Sequence, residues 1–158
     1  EEIKKLKNEF IREAEQLYEG INKRIGKGGE LYKGEVGDSG VCTDDNATMG
    51  ILCYLLGKRD EAEQLYEGIN KRIGKRGELY KSRVGGFGVY TEDNAAMGIL
   101  CYLLGKRDEA EQLYEGINKR IGKDGELYKS RVDDSDIWTR DNATMGILCC
   151  LLGGKVLC

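Results

Sequence analysis

The chain has 158 residues, of which 40% are hydrophobic and 34% charged, a composition typical of a folded protein rather than a disordered or membrane-embedded one. Its 25 lysines and arginines against 28 acidic residues give a formal net charge of -3, which excludes the strongly basic surface of a nucleic-acid-binding protein. The longest apolar run, Met145 to Leu152, is much shorter than the roughly 20 residues of a membrane span, so we expect no membrane partner.

The sequence repeats itself with a period of 48 residues. The segment EAEQLYEGINKRIGK begins at Glu13 and begins again at Glu61 and Glu109. A period of this length lies at the upper edge of helical-pair repeats. We therefore predict one all-α repeat domain over residues 1–158, in which three tandem hairpins pair an inner apolar helix with an outer amphipathic helix as an α/α solenoid. The predicted repeats span approximately 13–60, 61–108 and 109–158.

The first predicted elements in chain order are an N-terminal helical extension and the outer helices. Residues 1–12 are strongly charged and continuous with the first outer helix, so we expect them to form a polar cap extension. In the second copy, Asp60 is the expected N-cap and the helix ends near Gly74. Its apolar side chains recur at helical spacing: Ala62, Leu65, Tyr66, Ile69 and Ile73.

A long loop follows each outer helix, at residues 27–44, 75–92 and 123–140. Loops in compact domains usually have about 4–6 residues, and longer ones are usually functional. The helices are nearly identical between copies, whereas the loops differ at 34–42, 82–90 and 130–138. In solenoids this division usually separates the core from a binding face, although neutral drift at solvated loops is the alternative.

The inner helix of the second copy is predicted to begin at Thr91, a candidate N-cap, and to end at Gly105. It is apolar nearly all round, which indicates an inner layer covered on several sides. Gly50, Gly98 and Gly146 recur within these helices. Either they let neighbouring inner helices approach closely, or they are simply tolerated despite a low helix propensity.

The cysteine pattern favours free thiols. Cys53, Cys101 and Cys149 share one repeat position in the apolar helix, where a thiol behaves as a small hydrophobe. The chain has no histidine and no Cys-x-x-Cys spacing, so we predict no metal site and no cofactor. A reducing, cytoplasmic location is expected, although an oxidising setting would allow intermolecular disulfides. The cysteines available for them are Cys42, Cys150 and Cys158.

The last inner helix is predicted to lack a covering outer helix, which leaves its apolar side chains without partners. Each such side chain contributes roughly 1.5–3 kcal/mol when it is fully buried. We therefore predict self-association through the C-terminal helix, with an open arc that ends imperfectly as the alternative. The side chains concerned are Met145, Ile147, Leu148, Leu151 and Leu152.

Residues 85–88, Gly-Gly-Phe-Gly, precede Tyr90-Thr-Glu-Asp-Asn-Ala95 and an apolar helix. This combination resembles the repeats of the α/α-toroid families, namely the protein prenyltransferases and terpenoid cyclases, the six-hairpin glycosidases and the sugar epimerases. The resemblance implies a ring of inner helices wrapped by outer ones, with ligands bound at the loop-bearing mouth. Three hairpins correspond to half of such a toroid, and two copies would close a six-hairpin ring. Zinc-dependent prenyltransferases need a histidine that this chain lacks.

Several residues at the predicted mouth have side chains suited to ligand binding. Asp45, Asp93 and Asp141 recur at the helix start, where they serve either acid-base chemistry, as in glycosidases, or capping of the helix dipole. Aromatic rings beside arginines and carboxylates suit stacking on a sugar or holding a peptide. The predicted ligand-binding residues are Asp38, Asp45, Arg83, Phe87, Tyr90, Asp93, Arg131, Asp134, Trp138 and Asp141.

Two classes of function fit this pattern, and a third requires no ligand. The first is a non-catalytic interaction module that binds a peptide, protein or glycan at the loop face. The second is a toroid enzyme acting on a carbohydrate, and the third is a duplicated or engineered scaffold. The near-identity of the copies favours the first, because a toroid enzyme usually breaks repeat symmetry to separate its acid from its base.

Overall fold

The computed structural model describes residues 1–154, which form six helices and three short antiparallel strand pairs. The helices are α1 (Glu2–Arg24), α2 (Thr43–Leu55), α3 (Arg59–Gly68), α4 (Thr91–Leu103), α5 (Arg107–Arg120) and α6 (Thr139–Leu152), and α3 continues into a π-helical turn, Ile69–Ile73. The strand pairs are β1 (Lys27–Gly28) with β2 (Leu31–Tyr32), β3 (Lys75–Arg76) with β4 (Leu79–Tyr80), and β5 (Lys123–Asp124) with β6 (Leu127–Tyr128).

The mostly helical structure confirms the predicted all-α class, but the strand pairs were not predicted. Each pair closes over a two-residue turn whose first residue is a glycine with positive φ, as at Gly77 with φ of 71°. A glycine adopts that conformation at no steric cost, so a two-residue hairpin forms there. Each hairpin turns the long loop back onto its own inner helix.

The helix starts differ from the predicted caps. Helix α3 begins at Arg59 after Lys58, so Asp60 lies in the first turn, where its charge favours the helix dipole. Helix α4 begins at Thr91, but the Thr91 hydroxyl donates to the carbonyl oxygen of Lys129 in the next copy, at 2.6 Å. The threonine therefore joins neighbouring copies and does not cap its own helix.

Helix α4 is the centre of the core. It packs against α2, α5 and α6, and ten of its residues are buried, against six in α2 and four in α6. The predicted all-round burial of an inner helix therefore holds fully for α4 alone. Helix α1 continues without a break through residues 1–12, as predicted, but buries no residue and leaves Phe10 68% exposed.

The glycines of the inner helices mark the closest approach between neighbours. A Cβ atom at Gly50 would lie 2.9 Å from a methyl carbon of Leu100, and one at Gly98 would lie 2.8 Å from a methyl carbon of Leu148. A side chain at either glycine would displace a buried leucine, which confirms the predicted close approach. At Gly146 the same atom would meet no atom of the described residues within 4 Å.

The C-terminal helix is better covered than predicted. Met145, Leu148 and Leu151 are buried within the chain, so the expectation that they lack partners is wrong, whereas Leu152 is half-buried and Ile147 is 49% exposed. Helix α4 covers one side of α6 and accounts for this burial.

The cysteines of the inner helices also differ in burial from copy to copy. Cys53 and Cys101 are buried as predicted, but Cys149 is exposed, because no described residue covers that side of α6. Cys42 is half-buried and Cys150 is exposed, while Cys158 lies outside the described residues. Among the described helices, none combines the length and apolar character that a membrane crossing requires.

Candidate functional site

Backbone hydrogen bonds join the loop of each copy to the loop of the next. The amide of Thr43 donates to the carbonyl oxygen of Ser82 at 2.8 Å, and the amide of Val84 donates back to Val41 at 3.1 Å. The second and third copies repeat this pairing: the Thr91 amide donates to Ser130, and the Val132 amide to Val89. The pairing sets Cys42 opposite Arg83 and Tyr90 opposite Arg131.

The second and third loops enclose a groove of about 650 Å³. Eight of the ten predicted ligand-binding residues line it: Arg83, Phe87, Tyr90, Asp93, Arg131, Asp134, Trp138 and Asp141. Asp45 lines a separate cavity of about 320 Å³ beside the first copy. Asp38 lines neither, because its carboxylate accepts the amides of Ser39 and Gly40 within its own loop.

A group of polar side chains holds one wall of the groove. The Nε atom of Arg131 donates to the Asp134 carboxylate at 2.8 Å, and its guanidinium carbon lies 5.8 Å from the centre of the Tyr90 ring. Its hydrogen bonds to Tyr90 and Asp134 raise the pKa of Arg131. Hydrogen bonds from the Asp136 amide and from Arg131 lower the pKa of Asp134. Both groups are therefore charged at neutral pH and fixed in place.

The apolar surface of the groove comes from two exposed rings. Phe87 is 76% exposed and Trp138 is 55% exposed. A Cβ atom at Gly88 would lie 2.6 Å from the Tyr90 ring, so a glycine is needed for that ring to lie against the loop. Large exposed rings next to fixed charges are typical of a binding surface.

Several lining residues of the groove were not predicted from the sequence, among them two of opposite charge. Glu92 and Arg140 form an ion pair between the second and third copies. Burial raises the pKa of Glu92, although the Arg140 charge opposes that effect. The sequence contains a signal for this pair. The residue after the helix-start threonine is acidic in the first two copies, Asp44 and Glu92, and basic in the third, Arg140, so the charge changes sign at one repeat position.

The helix-start aspartates bind the backbone of the preceding copy. The Asp93 carboxylate accepts the Asp44 amide at 3.1 Å, and the Asp141 carboxylate accepts the Glu92 amide at 2.9 Å. Each aspartate therefore satisfies a free amide at the start of the neighbouring helix, where negative charge is favourable. Burial raises the pKa of Asp93 well above its ordinary value and also raises that of Asp141.

The asparagine after each aspartate fixes the loop hairpin. The side-chain oxygen of Asn94 accepts a hydrogen bond from the backbone amide of Tyr80 at 2.6 Å. Its side-chain nitrogen donates to the backbone carbonyl oxygens of Tyr80 and Tyr90, at 3.1 and 2.9 Å. Asn46 and Asn142 make the same bonds in their copies. In the first copy Leu31 and Tyr32 are buried, so they seal the loop against the core.

One cluster has the residue types of a metal site. The ligand atoms of Cys42, Asp44 and Asp45 all lie within 4.8 Å of one another. Burial, followed by the nearby carboxylates, raises the pKa of the Cys42 thiol, which disfavours the thiolate that a metal requires. Partial burial and the Asp44 charge raise the pKa of Asp45 to about 6. These three donors are one fewer than a structural zinc site has.

No family model, curated protein or solved structure matches this chain. The resemblance to the α/α-toroid families therefore stays a prediction from the loop and helix-start motifs.

Proposed function

We propose that this chain is a non-catalytic interaction module whose groove binds an extended peptide. In this proposal the three hairpins stack as an α/α solenoid arc, half of a toroid, and present their loops on one face. The recurrence of loop pairing at the 48-residue spacing, from Thr43 with Ser82 to Thr91 with Ser130, supports the stacking.

The observation that carries the proposal is the composition of the groove. Most of its lining comes from the segments that vary between copies, and it exposes the Phe87 and Trp138 rings. Exposed rings provide large contact areas at a low entropic cost. Variable residues gathered in a concave surface above a constant scaffold are typical of recognition by repeat proteins.

The groove is lined by six carboxylates and three arginines, and one of these arginines, Arg83, favours a peptide that places a carboxylate near an apolar residue. Arg131 is already paired with Asp134, and Arg140 with Glu92. Arg83 is exposed, lines the groove and forms no ion pair with any residue in 1–154. A guanidinium without a carboxylate partner is a suitable site for one from a ligand.

The carbohydrate-enzyme alternative receives no support from the carboxylates. Asp93 and Asp141 accept backbone amides of neighbouring helices, and Asp45 lines the other cavity. A pair of carboxylates in glycoside hydrolysis must instead flank the bond that is cleaved. We therefore do not propose catalysis.

Trp138 provides a direct test because it is the chain's single tryptophan. Peptides selected on an array are titrated against the protein while Trp138 fluorescence is recorded. A saturable change is expected, and Phe87→Ala and Arg83→Gln are each expected to weaken binding about tenfold, the effect of about 1.4 kcal/mol.

The matched control is Phe10→Ala, which removes a similarly exposed ring from α1, outside the groove, and is expected to leave binding unchanged. Circular dichroism and urea unfolding check that each variant is folded. Binding of glycans but not peptides would overturn the ligand class. Binding that is insensitive to both groove variants would overturn the site.

A further inference from the structure

The contacts between neighbouring hairpins occur twice in this chain, once between the first and second copies and once between the second and third. Each contact joins two residue types at fixed positions of the repeat. Because contacts in stacked repeats are made only between neighbours, one partner of each pair is left over at either end of residues 1–154. The leftover partners at the two ends are complementary.

The first complementary pair is the loop backbone. In both internal contacts the amide of a helix-start threonine donates to a backbone carbonyl oxygen in the following copy. In return, the carbonyl oxygen of the residue two positions before that threonine accepts a backbone amide from the following copy. At the third copy, the Thr139 amide and the Ile137 carbonyl oxygen have no partner within residues 1–154. In the first copy, the equivalent open groups are the Gly34 carbonyl oxygen and the Val36 amide. Donors and acceptors at the two ends therefore match.

The second pair is a leucine on a helical glycine of an inner helix. Leu100 lies on Gly50 and Leu148 lies on Gly98, whereas no atom of residues 1–154 fills the space beside Gly146. The leucine at the equivalent position of the first copy is Leu52, which is half-buried and lines the 320 Å³ cavity. Leu52 of another copy has the residue type and repeat position to occupy that space.

The third pair joins a loop leucine to an outer helix. Leu31 lies against Gly68 and Leu79 against Gly116, and both leucines are fully buried. The equivalent leucine of the third copy, Leu127, is 41% exposed, and the equivalent glycine of the first copy, Gly20, has nothing within 4 Å of a built Cβ atom.

Charges add to this match. Asp44 lies near Glu92 and contributes to raising the pKa of Glu92, so the junction between the first and second copies sets two acids together. The junction between the second and third copies sets Glu92 against Arg140. A further junction at the third copy would set Arg140 against another Asp44, which is attractive. The Arg140 amide would also meet another Asp45, as Asp44 meets Asp93.

We propose that two copies of this chain associate head to tail, with the first-copy face of one docking on the third-copy face of the other. The first-copy face consists of Gly20, Gly34, Val36, Asp44, Asp45 and Leu52, and the third-copy face of Leu127, Ile137, Thr139, Arg140 and Gly146. This contact is heterologous, so it closes a ring or extends as an open chain. The inference does not depend on ligand binding in the groove.

Two variants block one face each and leave the rest of the chain intact. Gly146→Leu fills the open space on the third-copy face, and Gly20→Leu fills the open space on the first-copy face. Both glycines lie within helices and have nothing within 4 Å of a built Cβ atom, so leucine fits each chain and favours its helix. Phe87→Ala is the control that alters the groove alone.

The experiment is light scattering after size-exclusion chromatography, over a concentration series with reductant, because Cys149 and Cys150 are exposed. The wild-type chain and Phe87→Ala are expected to exceed the 17.6 kDa of one chain, either levelling at twice that mass or growing further. Each blocking variant alone is expected to associate about 5-fold to 150-fold more weakly, which corresponds to the cost of about 1–3 kcal/mol for overpacking.

Mixing the two blocking variants provides the decisive measurement. An equimolar mixture retains one intact face of each kind, so it is expected to form a one-to-one dimer that neither variant forms alone. A wild-type mass of one chain at all concentrations would overturn the proposal. So would an unchanged mass for Gly20→Leu beside a monomeric Gly146→Leu, because that result indicates a symmetric contact between C-terminal helices.

Discussion

Helices α4 and α6 have nearly the same sequence but different surroundings. Ten residues of α4 are buried, against four of α6, and Ile99 is 6% exposed whereas the equivalent Ile147 is 49% exposed. Helix α4 has an inner helix on either side, α2 and α6, whereas within residues 1–154 α4 is the one inner helix beside α6. In this chain the burial of a residue is therefore decided by the neighbouring copies and not by the local sequence.

This difference means that one residue type at one repeat position has different energetic effects in different copies. Stability in stacked repeats is approximately a sum of the terms for each repeat and for each contact between neighbours. Substitutions at equivalent positions separate these two terms, because the local sequence is held nearly constant. Such pairs are compared in a Gly20→Leu background, at low protein concentrations at which that variant is expected to be monomeric.

The largest expected difference is between Leu100→Ala and Leu52→Ala. Leu100 is fully buried against Gly50, so its truncation leaves a cavity and is expected to cost about 2–5 kcal/mol. Leu52 is half-buried at the free end, where water fills the vacated space, and we expect a cost of about 1 kcal/mol. Urea unfolding followed by circular dichroism measures both. Equal losses would mean that the copies do not differ in packing.

Much of the fold could be predicted from the sequence because hydrophobic periodicity is local. The apolar run from Ala95 to Leu104 predicts an inner helix. The loops that vary between copies predicted six of the residues that line the groove, and the recurring helix-start aspartates predicted two more. The positions of Asp38 and Asp45 were not predictable in the same way. Within residues 1–154 no copy lies before the first one, and its equivalent residues face a different cavity or their own loop.

The roles of the helix-start residues depend on contacts that periodicity cannot specify. Asp93 was expected to act in catalysis or to favour its own helix dipole, but its partner is the amide of Asp44, 49 residues away. Asn94 binds Tyr80 of its own loop, because the unpredicted hairpin brings that backbone to the helix start. Both roles require knowing how the loop folds back and which copy lies beside it.

A smaller difference, but one of opposite sign, is expected between Gly98→Ala and Gly146→Ala. At Gly98 the new methyl group meets buried Leu148 at 2.8 Å, so overpacking outweighs the gain in helix propensity and costs a net amount of about 1 kcal/mol. At Gly146 there is open space, and alanine is expected to stabilise the chain by about 0.5–1 kcal/mol. Thermal unfolding midpoints report both changes. A stabilising Gly98→Ala would show that the inner helices move apart at no cost.

The smallest expected difference concerns pH and compares Asp93→Asn with Asp45→Asn. Burial raises the pKa of Asp93 in the folded chain above its unfolded value of about 3.9, so the folded state binds that proton more tightly. This tighter proton binding stabilises the folded state fully at pH values below the unfolded pKa of Asp93. The stabilisation is lost as the pH rises through the pKa of Asp93 in the folded chain. Asparagine carries no charge and keeps an acceptor for the Asp44 amide, so Asp93→Asn is expected to be more stable than the parent at pH 8.

Asp45 provides the matched exposed position at the free end. Its pKa is about 6, so its own contribution is lost between about pH 4 and pH 6, and its exposure makes that contribution the smaller one. Urea unfolding at pH 4, 6 and 8 measures the difference between each variant and the parent. A gain for Asp93→Asn that grows with pH and exceeds the gain for Asp45→Asn is expected, because a neighbouring copy buries only the first carboxylate. A loss of stability for Asp93→Asn at pH 8 would instead mean that the charge itself holds the start of helix α2.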